Sequence, residues 1–96
     1  MPKPRTPRFI NFNPSVYFFK PQGVPLRMLE EVILESDEYE AMRLHDILEF
    51  DQKTAAKKMK ISQPTFARIL NSANKKIAEA IVKGKAIRIN SANYDK

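Results

Sequence analysis

Apolar residues between positions 52 and 70 recur with the spacing of two short helices joined by a tight turn. They are Ala55, Ala56, Met59, Ile61, Phe66 and Ile69. Two helices that cross steeply need a small side chain where their backbones approach, and an alanine of the first helix supplies it. Ile61 provides an apolar residue for the turn, and Phe66 lies on the inner face of the second helix. This pattern predicts a helix-turn-helix, in which the second helix enters the major groove of DNA.

The beginning of the second helix is marked by Ser62, whose hydroxyl can accept a hydrogen bond from a backbone amide of the first turn. Pro64 falls in that turn, where a missing N–H costs little. Ile61 and Phe66, on either side of the cap, have the spacing of a hydrophobic staple. The apolar stripe continues through Ala73, Ile77, Ala80 and Ile81. We therefore expect a helix of about 20 residues that ends at Gly84, in the left-handed conformation that glycine favours.

A polar row occupies the outer face of this helix. Gln63, Ala67, Asn71 and Lys75 recur every four positions, with Arg68 beside them and no acid among them. Asparagine and glutamine can bind adenine through two hydrogen bonds, and arginine can bind guanine in the same way. The residues predicted to contact bases are Gln63, Arg68 and Asn71, and those predicted to contact phosphate are Gln52, Lys53, Thr65 and Lys75. A capped helix with a polar outer face is also common in helical bundles that bind no DNA.

The sequence before residue 52 has the pattern of one further helix. This helix is predicted to begin near Ser36 or Asp37 and to end near Leu48. Asp37 and Glu40 have capping-box spacing, and acids suit the first turn of a helix. Its inner stripe is Ala41, Leu44 and Leu48, flanked by Tyr39 and Ile47. Because no nucleophile or glycine-rich loop accompanies its acids, we expect this helix to face water or a partner. Asp51 is the expected N-cap of the next helix.

Short segments rich in aromatic and β-branched residues predict strands near residues 16–20, 32–35 and 86–90. Residues 32–35 fit the end of a helical turn equally well. The last segment alternates apolar and polar residues, as a half-buried strand does. The strand at residues 86–90 could pair with either of the other two segments or with its own copy in a second subunit.

Together these elements predict a mainly α fold: a three-helix helix-turn-helix domain over residues 9–90, with a small β element formed by N- and C-terminal strands. Residues 1–8 are predicted to be a basic arm without regular structure, because their three prolines resist helix formation. Arg5 and Arg8 of this arm are predicted to contact phosphate or the minor groove. Residues 91–96 are predicted to be a tail.

Charge is segregated along the chain, which has a net charge of +6. Residues 1–27 carry five basic residues and no acid, and residues 52–96 carry eleven basic residues and two acids. Residues 28–51 carry nine acids and one arginine. A polyanion such as nucleic acid accounts for the two basic blocks. The acidic block could instead bind a basic protein partner.

Several classes of function are disfavoured by composition. A chain of 96 residues builds one small core and has little room for a buried catalytic cleft. It has no cysteine and a single histidine, His45, so no metal site is expected. No apolar run approaches the roughly 18 residues of a membrane span. We therefore expect a cytoplasmic protein that is not an enzyme, needs no cofactor and binds no membrane.

Three motifs carry a family resemblance: KPxGxP at residues 20–25, DExEAxRLxD at residues 37–46 and SxxTFxRxL at residues 62–70. From about residue 4 to 89 the chain resembles a widespread prokaryotic family of uncharacterised proteins regarded as DNA-binding, whose helix-turn-helix is similar to region 4 of sigma factors. The resemblance implies a winged or sheet-supported three-helix domain with a regulatory role on the nucleoid. Gln63 departs from the family, which usually has a basic residue there, so the base preference of relatives does not transfer.

The function predicted from the sequence is selective binding of double-stranded DNA by a homodimeric transcriptional regulator. One alternative is an adaptor that binds a protein through the acidic residues 28–51. Another is a nucleic-acid binder without sequence preference. These alternatives differ in their response to salt and in their preference among duplexes.

Overall fold

The computed structural model describes residues 17–90 of the chain. The predicted arm at 1–8, with Arg5 and Arg8, and the predicted tail at 91–96 lie outside the described residues. The helices are α1 (Ser36–Met42), which continues as a π-helical segment (Arg43–Ile47), α2 (Gln52–Met59) and α3 (Gln63–Lys83). The strands are β1 (Phe18–Phe19), β2 (Glu31–Leu34) and β3 (Ala86–Ile89), and a 3₁₀ turn covers Leu26–Met28.

The three strands form one sheet in the order β1–β3–β2. β3 is antiparallel to β1, with Phe19 opposite Ile87, and parallel to β2, with Val32 opposite Ile87. The prediction of a mainly helical domain with a small β element is therefore confirmed. The last strand pairs with both of the earlier segments, so the pairing with its own copy is wrong, because both edges of β3 are occupied within the chain.

A turn between β1 and β2 contains the first of the three motifs. Gly23 has a φ of +83°, a left-handed conformation in which a side chain would be strained. The ammonium group of Lys20 donates a hydrogen bond of 2.8 Å to the carbonyl oxygen of Val24 and so closes the turn. The predicted turn at residues 21–23 is present, and it returns the chain toward β2.

Two connected apolar clusters form the core. The first joins α1, α2 and α3, and its members are Ala41, Leu44, Ala55, Ala56, Met59, Phe66, Ile69 and Leu70. Phe66 and Met59 are fully buried at its centre. The second cluster joins α3 to the sheet through Leu34, Ala73 and Ile89. α3 therefore contacts every other layer of the domain, and its outer face is what remains exposed.

The first helix ends where it is predicted to end, at Ile47 before Leu48, but the assignment of Leu48 to the buried stripe is wrong. Leu48 donates its N–H to the carbonyl oxygen of Arg43, five residues back, at 3.0 Å. This wider turn rotates the following residues away from the stripe formed by Ala41 and Leu44. Leu48 is 48% exposed and Ile47 is 72% exposed, so neither belongs to the core.

Two further burial predictions are corrected. Ile81 was expected in the apolar stripe of α3 but is 74% exposed, because it lies about 100° around the helix from the buried Ala80. The alternation expected in β3 is also not kept. Ala86 and Ile89 are both buried although they point to opposite faces, so this central strand is covered on both sides.

The acids of α1 face inward rather than toward water. The N-cap is Glu35, not Ser36 or Asp37, and the backbone N–H of Glu35 donates to the carboxylate of Glu38 at 2.8 Å. Glu40 is buried and accepts two hydrogen bonds of 2.9 Å from the guanidinium of Arg43. A buried carboxylate is stable only when hydrogen-bond donors or cations satisfy it, and the expectation that this helix faces water or a partner is wrong for Glu38 and Glu40.

Glu38 connects α1 to α3 and the sheet. Its carboxylate accepts hydrogen bonds from the hydroxyl of Ser72 and from the ammonium group of Lys76, the latter at 2.8 Å. The same ammonium group donates to the carbonyl oxygen of Ile33 at 2.7 Å. Lys76 directly follows the predicted phosphate contact Lys75 in the sequence, but it lies against the edge of β2 and neutralises a buried acid. Its charge also shields a strand edge that would otherwise be open to pairing.

Replacing Lys76 with methionine should lower the free energy of unfolding by about 1–2 kcal/mol. Breaking a fully buried ion pair costs about 3–5 kcal/mol, but about a third of the Lys76 side chain is exposed, which screens the loss. Urea denaturation measures the change. Lys75→Met is the matched control, because Lys75 is the neighbouring residue and its side chain is exposed. This substitution should change the free energy of unfolding by less than about 0.5 kcal/mol. Equal losses for both variants would contradict the role given to Lys76.

Candidate nucleic-acid interface

α2 begins at the predicted cap. The carboxylate of Asp51 accepts a hydrogen bond of 2.7 Å from the backbone N–H of Thr54. This bond to the ionised form holds the pKa of Asp51 below its ordinary value, with a smaller contribution from the side chain of Thr54. Gln52 and Lys53 follow directly, in the first turn of the helix, where backbone amides are free of helical partners.

Three residues join α2 to α3. Lys60 ends α2 with a φ of +61°, and its backbone N–H donates to the carbonyl oxygens of Ala56 and Lys57. Ile61 donates its N–H to Ala56 at 3.1 Å and packs against the core cluster that contains Phe66. The short turn between two packed helices predicted from the sequence is therefore present.

α3 begins and ends where the sequence predicts. Ser62 is its N-cap and accepts a hydrogen bond of 3.2 Å from the backbone N–H of Thr65. Pro64 lies in the first turn, and Gly84 follows the last turn with a φ of +66°. The helix has 21 residues, so at about 1.5 Å per residue its axis is roughly 30 Å long.

The outer face of the first half of α3 is open. Gln63, Arg68, Asn71 and Lys75 are exposed, and Ala67 is half-buried. Phe66, Leu70 and Ala73 lie on the opposite face and are buried, which fixes the rotation of the helix. The three side chains predicted to contact bases thus share a surface that the described residues do not cover. Among the predicted phosphate contacts, Lys53 and Lys75 are exposed, and Gln52 and Thr65 are half-buried.

A chain of hydrogen bonds links the cap of α3 to Arg68. The hydroxyl oxygen of Thr65 accepts hydrogen bonds from the hydroxyl of Ser62 at 2.9 Å and from Nη2 of Arg68 at 3.3 Å. The sequence reasoning missed this link, although residues three apart on a helix are neighbours and the spacing of Ser62, Thr65 and Arg68 contains that signal.

Ion pairs within the chain use up much of the acidic block. The pairs with acids of that block are Arg43–Glu40, Lys76–Glu38, Lys85–Glu30 and Arg88–Glu31. Lys85 also pairs with Glu79, which lies outside the block on α3. The bond between Lys85 and Glu79 raises the pKa of the lysine and lowers the pKa of the acid. None of these pairs involves the exposed face of α2 or the first half of α3.

Several exposed cations of α2 and α3 take no part in these pairs. Lys53, Lys57, Arg68 and Lys75 are exposed and form no ion pair with the residues that the structure describes. Lys58 is different, because its ammonium group lies 4.7 Å from the centre of the Phe50 ring. Exposed positive charge without an ion pair is therefore present on both helices of the α2–α3 unit.

Other kinds of site find little support between residues 17 and 90. No group of three or more histidine, cysteine, aspartate or glutamate side chains in that range could hold a metal ion. His45 lies 3.0 Å from the carboxylate of its neighbour Asp46, and its ring packs 6.4 Å from that of Phe66. None of the described helices is both long enough and apolar enough to span a bilayer.

The fold and the exposed face define a small three-helix domain supported by a three-stranded sheet, with a basic surface on its last two helices. The chain belongs to a family described as a protein of unknown function, DUF134, whose model matches residues 1–96. Membership in an uncharacterised family, which the motifs predicted, is thereby confirmed.

Relatives share about half of the residues over nearly the whole chain. A UPF0251 protein of Caldanaerobacter subterraneus is 52% identical over 94 residues, which cover 98% of this chain and 80% of the relative. A UPF0251 protein of Thermoanaerobacter pseudethanolicus is 51% identical over the same shares of the two chains. A UPF0251 protein of Dehalococcoides mccartyi is 47% identical over 95 residues, or 99% of this chain and 81% of the relative. No solved structure matches the chain.

Proposed function

We propose that this protein binds double-stranded DNA with sequence preference and regulates transcription. The observation that carries the proposal is the exposed row of Gln63, Arg68 and Asn71 in the first half of α3, together with exposed cations of α2 and α3 that form no ion pair with the described residues. A helix supported on its inner face, with its first turns projecting, matches the geometry of a recognition helix in the major groove. The α2–α3 unit then acts as a helix-turn-helix similar to region 4 of sigma factors.

Base contacts would come from the first half of α3. Gln63 and Asn71 can each donate to N7 and accept from N6 of adenine, or bind other bases less specifically. Arg68 can donate to O6 and N7 of guanine. The later part of α3 packs against the sheet through Ala73 and Ile77, so it would support the helix rather than contact bases.

Phosphate contacts would position the domain. Lys53 in the first turn of α2 and Lys75 four residues after Asn71 on α3 would supply charge, and Gln52 and Thr65 would supply neutral donors. Arg5 and Arg8 would add contacts from the basic arm. Such contacts raise affinity for every duplex alike and carry no sequence information.

The adaptor alternative has weaker support from the described residues. Most acids between 28 and 51 are buried, cap a helix or pair with cations of this chain. A surface that binds a basic partner would need carboxylates free to meet it. The acidic block therefore serves the internal structure, and selective DNA binding is the function we favour.

The homodimer stays a prediction, and it needs a contact other than pairing between two copies of β3. Both edges of β3 are occupied, whereas Ile81 and Val82 at the far end of α3 are 74% and 80% exposed. A pair of subunits related by two-fold symmetry would select a DNA site with the same symmetry.

Selection of bound duplexes from a random pool tests the proposal. A recurring motif is the expected result, and its symmetry reports the number of subunits. On that motif, Arg68→Ala should cost about 1–3 kcal/mol of binding energy and relax preference at one base. Lys75→Ala should weaken binding to all duplexes alike. The absence of any enriched motif would overturn sequence selectivity, and equal losses on specific and random duplex for both variants would overturn the division of roles.

A further inference from the structure

Thr65 occupies the centre of a short hydrogen-bonded network at the exposed beginning of α3. Its backbone N–H donates to the hydroxyl oxygen of Ser62 at 3.2 Å, and the Ser62 hydroxyl donates back to the Thr65 hydroxyl oxygen at 2.9 Å. These two bonds tie Thr65 to the helix cap from both its backbone and its side chain. Arg68 then donates from Nη2 to the same threonine oxygen at 3.3 Å.

The donor and acceptor capacities of these groups allow the network to coexist with DNA. A hydroxyl oxygen has two lone pairs, and here Ser62 and Arg68 each use one, so the threonine proton remains available for a phosphate oxygen. A guanidinium group has five N–H donors, and Thr65 engages only one of them. The remaining donors of Arg68 suffice for a two-bond contact with guanine.

The position of Thr65 determines the direction in which the Arg68 side chain points. Side chains on a helix lean toward its N-terminus, and the contact with Thr65 holds the Arg68 guanidinium on that side. This is the end of α3 that would enter the groove. An arginine has many rotamers, so a side chain that is already held loses less conformational freedom when it binds.

We propose that Thr65 is a positioning residue that couples the helix cap to base reading by Arg68. This inference rests on the proposed DNA-binding function and deepens it. Thr65 contributes to sequence preference through Arg68, and its own contact with phosphate affects all duplexes alike. The preference at the base read by Arg68 therefore depends on a hydroxyl that does not contact any base.

A double-mutant cycle tests the coupling. The quantity measured is the ratio of affinity for the selected duplex to affinity for random duplex, for the wild type, Thr65→Val, Arg68→Ala and the double variant. Valine keeps the shape of threonine and removes the oxygen. We expect Thr65→Val to lower the ratio about three- to tenfold, the range for one hydrogen bond. In the Arg68→Ala background the same change should alter the ratio less than twofold, because the coupled group is gone.

Two further variants separate positioning from helix stability. Thr65→Ser keeps the hydroxyl and should restore most of the wild-type ratio. Thr54 is the matched control, because it occupies the equivalent position after the Asp51 cap of α2 and its side chain also bonds to that cap. Thr54→Val should reduce thermal stability much as Thr65→Val does, but leave the affinity ratio unchanged.

The possible results separate a failure of the Thr65–Arg68 coupling from a failure of the proposed DNA-binding function. If Arg68→Ala relaxes preference and Thr65→Val does not, the coupling is overturned and the DNA-binding function stands. If Thr65→Val lowers the ratio equally with and without Arg68, Thr65 acts by itself and the coupling is again overturned. If the wild type prefers no duplex at all, the proposed function fails, and the positioning role fails with it.

Discussion

Phe66→Ala should lower the free energy of unfolding by about 3–5 kcal/mol, the largest effect expected of any single substitution in this domain. The Phe66 ring is fully buried and lies in the cluster that joins α1, α2 and α3. The substitution loses the free energy gained by transferring the ring out of water, and it leaves a cavity between the three helices of the cluster. Since small domains are stable by about 5–15 kcal/mol, a large share of the stability would be lost.

Urea denaturation followed by circular dichroism measures this loss. Val82→Ala is the control, because that side chain is 80% exposed and should cost less than about 0.5 kcal/mol. A loss below about 1 kcal/mol for Phe66→Ala would mean that the helices collapse into the space, and that the rotation of α3 is set by other contacts. In that case the exposure of Gln63, Arg68 and Asn71 would need a different explanation.

Affinity for duplex DNA should fall roughly a hundredfold between 50 and 200 mM salt. The proposed contacts include four cations, Lys53, Lys75, Arg5 and Arg8, and each neutralised phosphate contributes about −0.9 to the slope of log affinity against log salt. The expected slope is therefore about −3.6. Fluorescence anisotropy with a labelled duplex measures it across a salt series.

Single substitutions show which cations contribute to the slope of log affinity against log salt. Lys75→Ala should make the slope shallower by about one, whereas Lys85→Ala should leave it unchanged, because Lys85 pairs with Glu79 and Glu30 away from the interface. An adaptor would bind duplex DNA poorly even at the lowest salt. A flat salt response would therefore refute the proposed function, and a steep response without preference among duplexes would favour the non-selective alternative.

Local signals in the sequence were enough to place α2 and α3. Asp51, Ser62, Pro64 and Gly84 each act on the backbone within one helical turn, so their effects do not depend on the rest of the fold. The spacing of Phe66 from Ile69 likewise determined which face of α3 is buried. The exposure of Gln63, Arg68 and Asn71 follows from that rotation.

The first helix shows where local reasoning failed. The spacing of Asp37 and Glu40 matched a capping box, but Glu35 and Glu38 form it. A cap depends on where the chain leaves the preceding strand, and β2 ends at Leu34 only because it pairs with β3, more than fifty residues later. That long-range pairing decided which acids form the cap, whereas the start of the helix at Ser36 agrees with the prediction from the sequence.

By itself, the sequence determined the helix boundaries after residue 50, the apolar face of α3, the polar row opposite it and the separation of charge into blocks. Only the tertiary structure decided which charges remain available. Lys76, Lys85 and Arg88 are basic residues like Lys75, yet they pair with acids distant along the chain, Glu38, Glu30 and Glu31, whereas Lys75 forms no such pair. An ion pair forms wherever folding brings opposite charges within a few ångströms, and that distance cannot be read from local spacing.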